Sequence, residues 1–231
     1  MIDWHSHILP ALDDGSKNPE ESVAMIGKLA SQGAKIVIAT PHFFANDQSV
    51  ASFINKRDQA FASIKKRLPE NSPEIRLGAE VRYYPGISRL LDLKALRIEG
   101  SNLLLLEMPM MCWTQSMMKE LSDLSAVSGI QLVLAHVERY LALQKKDTLN
   151  QLLGCGILMQ VNANSFTAMS TRRKVLSLLK KGNIHFIGSD CHNMKSRPPK
   201  LLEAYALIEK KLGCEFVAQM NEFGYAMLDS I

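Results

Sequence analysis

Short apolar, β-favouring runs recur along the chain, and each is followed by a stretch with helical periodicity. The runs fall at 1–4, 35–39 (KIVIA), 75–79 (IRLGA), 102–106 (NLLLL), 131–135 (QLVLA), 157–161 (ILMQV) and 184–188 (IHFIG). Several are apolar without a break, the pattern of strands buried on both faces of a parallel sheet. Between the first two, Asn18 and Pro19 offer an N-cap and a first helical position. Glu20 and Glu21 follow, and then apolar spacing through Val23, Ile26, Leu29 and Ala30. Further helices are expected over 51–68, 115–127, 148–153, 171–181, 199–212 and 215–228, with Gly33, Gly129, Gly182 and Gly213 placed to stop them. The strand ends are spaced near the ~30 residues of one βα unit. Seven such units, with no Pro/Gly-rich linker between them, predict one α/β domain over 1–231. Its expected form is a distorted (β/α)7 barrel rather than an open doubly wound sheet. No GxGxxG or P-loop pattern follows any strand, which lowers the case for nucleotide binding.

The polar residues fall in register with this pattern. His5 and His7 follow the first run, with Asp14 in the next loop; His42 follows the second, and Glu80 ends the third. Glu107 ends the fourth and His136 the fifth; Asn162 and Asn164 follow the sixth, and Asp190 and His192 the seventh. A lone histidine beyond a strand is ordinarily a packed loop residue. Seven strand ends presenting imidazole, carboxylate or amide groups on the face where β/α barrels build active sites form a site. In extended chain, residues i and i+2 point the same way. HxH therefore aims two imidazoles at one locus, and DxH a carboxylate and an imidazole. Mixed imidazole and carboxylate donors suit borderline divalent ions such as Mn²⁺, Fe²⁺ or Zn²⁺. Nine donors exceed what one ion uses, so two or three ions are expected. Three divalent ions among four carboxylates and one bridging hydroxide would leave a small positive excess, which suits an anionic phosphate ester. Arg139 and Arg197 lie in loops on the same face, and guanidinium binds phosphate oxygens bidentately.

Composition adds boundaries. Hydrophobic residues make up 47% and charged residues 22% of 231 residues, as in ordinary globular chains. No apolar run approaches the ~18–20 residues of a membrane span. The first residues lack the basic and apolar regions of a leader, so an unprocessed cytoplasmic chain is expected. Cys112, Cys155, Cys191 and Cys214 show no CxxC spacing and read as reduced thiols. Cys191-Asn-Met lacks the CX5R loop of cysteine-based phosphatases. The net charge is +4. Its basic clusters read as solvated helix ends and C-terminal dipole complements rather than a nucleic-acid surface.

The stretches MIDWHSHILPALDDG, IATPH, LGAE, LLLLEMP, AHVERY, QVNANSF and GSDCHN resemble the PHP (polymerase and histidinol phosphatase) superfamily. Within it they are most similar to the bacterial manganese-dependent protein-tyrosine phosphatases of capsule and exopolysaccharide loci. The resemblance runs in order along essentially the whole chain. It implies a TIM-like PHP barrel with a trinuclear centre. His5, His7, Glu80 and Asp190 would hold one ion; Glu80 (bridging), Glu107 and His136 a second; Asp14, His42 and His192 a third. Asp14 rather than Asp13 is taken as the ligand, and Arg139 and Arg197 as the phosphate-binding arginines. The activity implied is phosphotyrosine hydrolysis by a metal-bridging hydroxide, with Mn²⁺ as the first choice of metal and a tyrosine autokinase as the partner. A histidinol-phosphatase-like or other small-molecule phosphoesterase is the alternative reading. A non-catalytic phosphoprotein-binding module would instead bind without turnover. Two positions depart from the family: Val137 stands where proline is usual, and Cys191 occupies the middle of DxH. Cys191 is expected to point away from the metals, His185 to be structural, and 108–113 to serve helix and loop packing, with Pro109–Trp113 as a cradle for an aromatic ring beside the metals as the alternative.

Overall fold

The computed structural model describes residues 1–90 and 92–229. Each expected run forms strand, and every paired strand runs parallel. In chain order the elements open with β1 (Ile2–Ser6), α1 (Pro19–Ser31), β2 (Ile36–Ala39), β3 (His42–Phe43), α2 (Val50–Lys65), β4 (Glu74–Leu77) and β5 (Glu80–Arg82). Next come β6 (Leu103–Glu107), α3 (Gln115–Ser125), β7 (Gln131–Leu134), α4 (Thr148–Gly154) and β8 (Leu158–Asn162). The chain continues through α5 (Asn164–Thr167), α6 (Arg172–Lys180), β9 (Phe186–Gly188), α7 (Leu201–Leu212) and α8 (Cys214–Leu228). The N-cap of α1 is as expected: the Asn18 side chain accepts the Glu21 N–H at 2.9 Å.

Two expected strands are each followed by a second, short strand. β2 and β3 are separated by Thr40-Pro41, where proline has no N–H to donate to the ladder. The neighbouring strand breaks alongside, between β4 and β5. The bonds Gly78 N–H to Ala39 O (2.8 Å) and Glu80 N–H to Pro41 O (3.0 Å) keep the halves in step. Glu80 therefore opens β5 rather than closing a strand. His5, expected just beyond the first strand, lies within β1, where the pairing with β2 slips between Asp3 and Ser6. His185 precedes β9, and its Nδ1 accepts the Met159 N–H at 3.0 Å, a structural role.

Strand order β1-β2-β4 and β3-β5-β6-β7-β8-β9 describes one curled sheet whose edges meet. His5 O accepts the Asp190 N–H (2.8 Å), and Cys191 O accepts the His7 N–H (2.9 Å). Asp3, buried beside this seam, accepts the Ser189 N–H and Oγ–H, both at 2.6 Å. Burial pushes its carboxyl up to about 7, against the pull of those bonds. The result is a distorted seven-unit β/α barrel. Leu104, Leu106, Leu132 and Leu134 pack against the helices, while Leu103, Leu105, Val133, Ile2, Trp4 and Phe186 form a separate inner cluster closed by Leu228 of α8. Glu80 pairs with Leu105 in register, and Glu107 lies two residues beyond it. Period-two alternation thus puts both carboxylates on the face of the inner cluster, at the strands' C-terminal end. Cys191 lies in the helix-side core, and burial holds its thiol well above the usual range. Among the described residues no helix is long and apolar enough to cross a membrane.

Candidate metal centre

All nine expected ligands converge at the C-terminal end of the strands. Among the described residues, four sets of donor atoms lie within 4.8 Å of one another: His7, Asp14, His42 and His192; His5, His7 and Asp190; His5, Glu80 and His136; and His42, Glu80 and Glu107. Glu80 is the hub. Its Oε1 lies 2.8 Å from His136 Nε2, and its Oε2 lies 3.5, 3.3 and 3.0 Å from His5 Nε2, His7 Nε2 and His42 Nδ1. Asp190 Oδ1 lies 3.3 Å from His5 Nε2, and Asp14 Oδ1 lies 3.2 Å from His192 Nε2. Ligand bonds of ~2.1 Å give polyhedron edges of about 3.0 Å (octahedral) to 3.4 Å (tetrahedral), which these separations match. The grouping differs in detail from that implied by the resemblance. His7 also faces the Asp14 set, and Glu107 reaches His42 and Glu80 while lying 3.6 Å from His136.

The outer face of the imidazoles explains why their inner nitrogens converge. His7 Nδ1 donates to Asp13 Oδ2 at 2.7 Å, because a carboxylate can only accept. His192 Nδ1 donates to the Asp190 carbonyl at 3.1 Å. His136 Nδ1 lies 3.1 Å from the Tyr140 hydroxyl, and His5 Nδ1 lies 3.0 Å from Thr40 Oγ1. Four rings are therefore held by Nδ1 with Nε2 turned inward, the arrangement that orients metal-binding histidines elsewhere. His192 Nε2 and His42 Nδ1 are buried without a hydrogen-bond partner. Orphaned imidazole nitrogens among carboxylates fit a divalent cation. Burial, the charge of His7 and that of Arg197 lower His192 to about 4, so it offers a lone pair at neutral pH. Burial pushes Glu80 and Asp190 up, but the facing imidazoles and, for Asp190, Arg139 hold both well below the carboxylate range. Two ligands exit their strands in the left-handed region, His136 at φ 33° and Asp190 at φ 50°. Each such residue costs about 1–3 kcal/mol, a strain that active sites tolerate.

Both arginines arrive at the same carboxylate oxygen. Arg139 sits in the 3-10 turn Val137–Arg139 after β7, and its Nη2 bonds Asp190 Oδ2. Arg197 Nη2 bonds that oxygen at 2.8 Å, as does Asn162 Nδ2 at 2.6 Å. Arg197 is brought back to the site by Asn193, whose Oδ1 accepts the N–H groups of Lys195, Ser196 and Arg197. Beside the arginines a small polar cavity of about 80 Å³ also takes in Lys200, Ser196 and Asn164. Sequence reasoning missed Lys200, Thr40, Tyr140, Arg82 (which bonds Glu107 Oε2 at 2.6 Å) and half-buried Glu138, which accepts the Asn162 N–H and the Ser165 hydroxyl. No ligand-type spacing marks these residues; Thr40, Arg82 and Glu138 meet partners more than twenty positions away in the chain. Of the segment 108–113, Met108 and Trp113 are buried, whereas Met110 and Met111 are exposed.

Residues 1–223 match the family described as capsular polysaccharide synthesis, CpsB/CapC. The chain belongs to that family. It is 31% identical over 235 residues to the tyrosine-protein phosphatase CpsB of Streptococcus agalactiae, covering 95% of this chain and 94% of that one. It is 29% identical over 232 residues to the tyrosine-protein phosphatase YwqE of Bacillus subtilis, covering 96% and 89%. A chain from the crystal structures of Bacillus subtilis YwqE and Streptococcus pneumoniae CpsB, described as unique metal-dependent tyrosine phosphatases, superposes with a TM-score of 0.80. That match is 27% identical and covers 99% of this chain and 94% of the other. The histidinol phosphate phosphatase of Lactococcus lactis shares the fold at 14% identity, 92% coverage of each chain and a TM-score of 0.54.

The hydrogen bonds behind the ligands give a measurable expectation for this family member. Asp13→Asn and Tyr140→Phe leave every ligand in place but loosen His7 and His136. Each should weaken metal binding about 10–100-fold, read by titrating metal-stripped protein with Mn²⁺ in a calorimeter. Unchanged affinity in both would remove these residues from the site.

Proposed function

We propose that this chain is a metal-dependent phosphomonoesterase that hydrolyses phosphotyrosine in proteins, acting on a bacterial tyrosine autokinase of the capsule or exopolysaccharide system. The observation that carries the reading is the convergence of nine donor residues, with Glu80 as their hub, beside two arginines that meet on Asp190. The names of the relatives, matched over nearly the whole chain, support it. His5, His7, Glu80 and Asp190 would hold one ion, Glu80, Glu107 and His136 a second, and Asp14, His42 and His192 a third. Mn²⁺ is proposed first, with Fe²⁺ and Zn²⁺ as alternatives. Bound ions supply Lewis acidity toward the phosphoryl oxygens and a nucleophile deprotonated near neutral pH.

The chain's own residues do the rest. Arg139 and Arg197 grip the phosphoryl oxygens bidentately and stabilise the charge that grows there in the transition state. Asn162 steadies Asp190 while the guanidinium groups turn to substrate. In the loaded site Tyr140 accepts the His136 Nδ1–H and so keeps Nε2 facing inward. Phe44, 37% exposed with its ring 5.5 Å from that of His42, offers a face to the substrate's aromatic ring. Phenolate leaves readily, so the chain needs only a weak proton donor.

The test compares a phosphotyrosine peptide, histidinol phosphate and a phosphodiester under Mn²⁺. The peptide should be turned over fastest; rapid histidinol phosphate turnover beside negligible peptide turnover overturns the reading. Arg139→Met and Arg197→Met should each lower kcat/KM on the peptide about 10²-fold. Wild-type rates in both variants would exclude the arginines from phosphate binding.

A further inference from the structure

The basic clusters break their own rule in one place. Lys65, Lys180, Lys210 and Lys211 sit in the last turns of α2, α6 and α7, where cations complement the helix dipole. Lys145 and Lys146 instead precede α4, and Arg172, Arg173 and Lys174 open onto or lie in the first turn of α6, where positive charge opposes the dipole. Both exceptional groups border one cavity of about 290 Å³. Its walls are apolar, built from Trp113, Tyr140, Leu149, Leu152 and Leu178, and Lys145, Lys146 and Lys174 also line it. The ion pairs of the described residues are made by other lysines and arginines, leaving these three ammonium groups without a carboxylate. Asp147, the one acidic residue beside Lys146, makes none of those pairs either.

We propose that this cavity docks an acidic segment carrying an apolar anchor, contributed by the phosphoprotein substrate at a distance from its phosphotyrosine. The identity of the partner rests on the function proposed above; the chemistry of the segment rests on the cavity. Leucine walls select an aliphatic or aromatic side chain, and three unpaired ammonium groups select carboxylates around it. The cavity adjoins the metal site through two links. Tyr140 lines the cavity with its ring while its hydroxyl reaches His136, and the turn Val137–Arg139 gives Val137 to the cavity and Arg139 to the site. A segment anchored here therefore lies one side chain from the metal centre, where tethering raises the local concentration of the phosphorylated residue.

The test uses the full chain and short fluorescein-labelled peptides without phosphate: one of Glu and Leu, one of Glu and Ser, one of Lys and Leu. Anisotropy and Trp113 emission report binding. The Glu–Leu peptide should bind about tenfold tighter than either control, and more weakly as salt rises. The triple variant Lys145→Glu/Lys146→Glu/Lys174→Glu should lose about tenfold in that affinity. Leu178→Gln, which keeps the charges, should abolish the advantage of Leu over Ser; melting curves check that both variants fold. Equal affinity for the three peptides, or an unchanged affinity in the triple variant, overturns docking. Because the probes carry no phosphate, loss of the phosphatase reading would leave a positive binding result standing. Failed docking would likewise leave turnover untouched.

Discussion

Stripping the protein of metal is expected to abolish phosphotyrosine-peptide hydrolysis, Mn²⁺ to restore it, and Glu80→Ala to keep it about 10³-fold down at any Mn²⁺ concentration. The magnitude follows from the hub position of Glu80. One oxygen faces His136 and the other faces His5, His7 and His42, so its removal strikes two of the four donor sets directly and the other two through a shared imidazole. Ligand loss at the edge is expected to cost less: Asp14 is 64% exposed and touches only the set it shares with His42, His192 and His7. Asp14→Ala should therefore retain more activity and more bound metal than Glu80→Ala, measured by elemental analysis of the purified variants. Activity in the stripped protein, or in Glu80→Ala at wild-type level, would sink the metal-dependent reading.

Gly188→Ala should damage fold and site together. Gly188 ends β9 against β1, and a Cβ there would meet His5 Cβ at 2.5 Å, the His5 backbone nitrogen at 2.8 Å and Gln160 Nε2 at 2.9 Å. Backbone cannot yield as a flexible side chain can. β1 would have to move away from β9, stretching the bonds from Asp190 N–H to His5 O and from His7 N–H to Cys191 O that join the sheet's edges. Overpacking of this kind costs about 1–3 kcal/mol, or roughly 2–12 °C in Tm for a chain of this size. His5 and His7 would shift with β1, so Mn²⁺ should also raise the variant's Tm less than the wild type's. A thermal scan with and without Mn²⁺ reads both effects, and a wild-type profile would show that the contact at Gly188 is not what shapes the seam.

Much of this was legible along the chain. The period of the apolar runs, the Asn18-Pro19 helix start and the stop glycines are local properties, and the strands and helices formed close to where they predicted. The convergence of the nine donor residues was legible for the same reason: the C-terminal ends of parallel strands face one region in any β/α barrel, so polar residues at each end had to meet. Asp14 against Asp13 could be guessed only by resemblance. In the fold Asp13 turns inward to bond His7 and the His42 N–H, while Asp14 stays exposed at the mouth.

The sequence by itself determined which chemical groups this protein owns and which end of the barrel carries them, because both follow from spacing within a few residues. The tertiary structure decided how they are shared out. It set Glu80 at the centre, turned Nε2 of four imidazoles inward through Asp13, Tyr140, Thr40 and the Asp190 carbonyl, and brought Arg139 and Arg197 to one oxygen. It also gathered Lys145, Lys146 and Lys174 around a leucine-walled cavity. These arrangements depend on the break at Pro41, the slip in β1 and the closure of β1 on the end of β9. Such contacts join residues far apart in the chain, and their geometry is fixed only when the whole sheet curls shut.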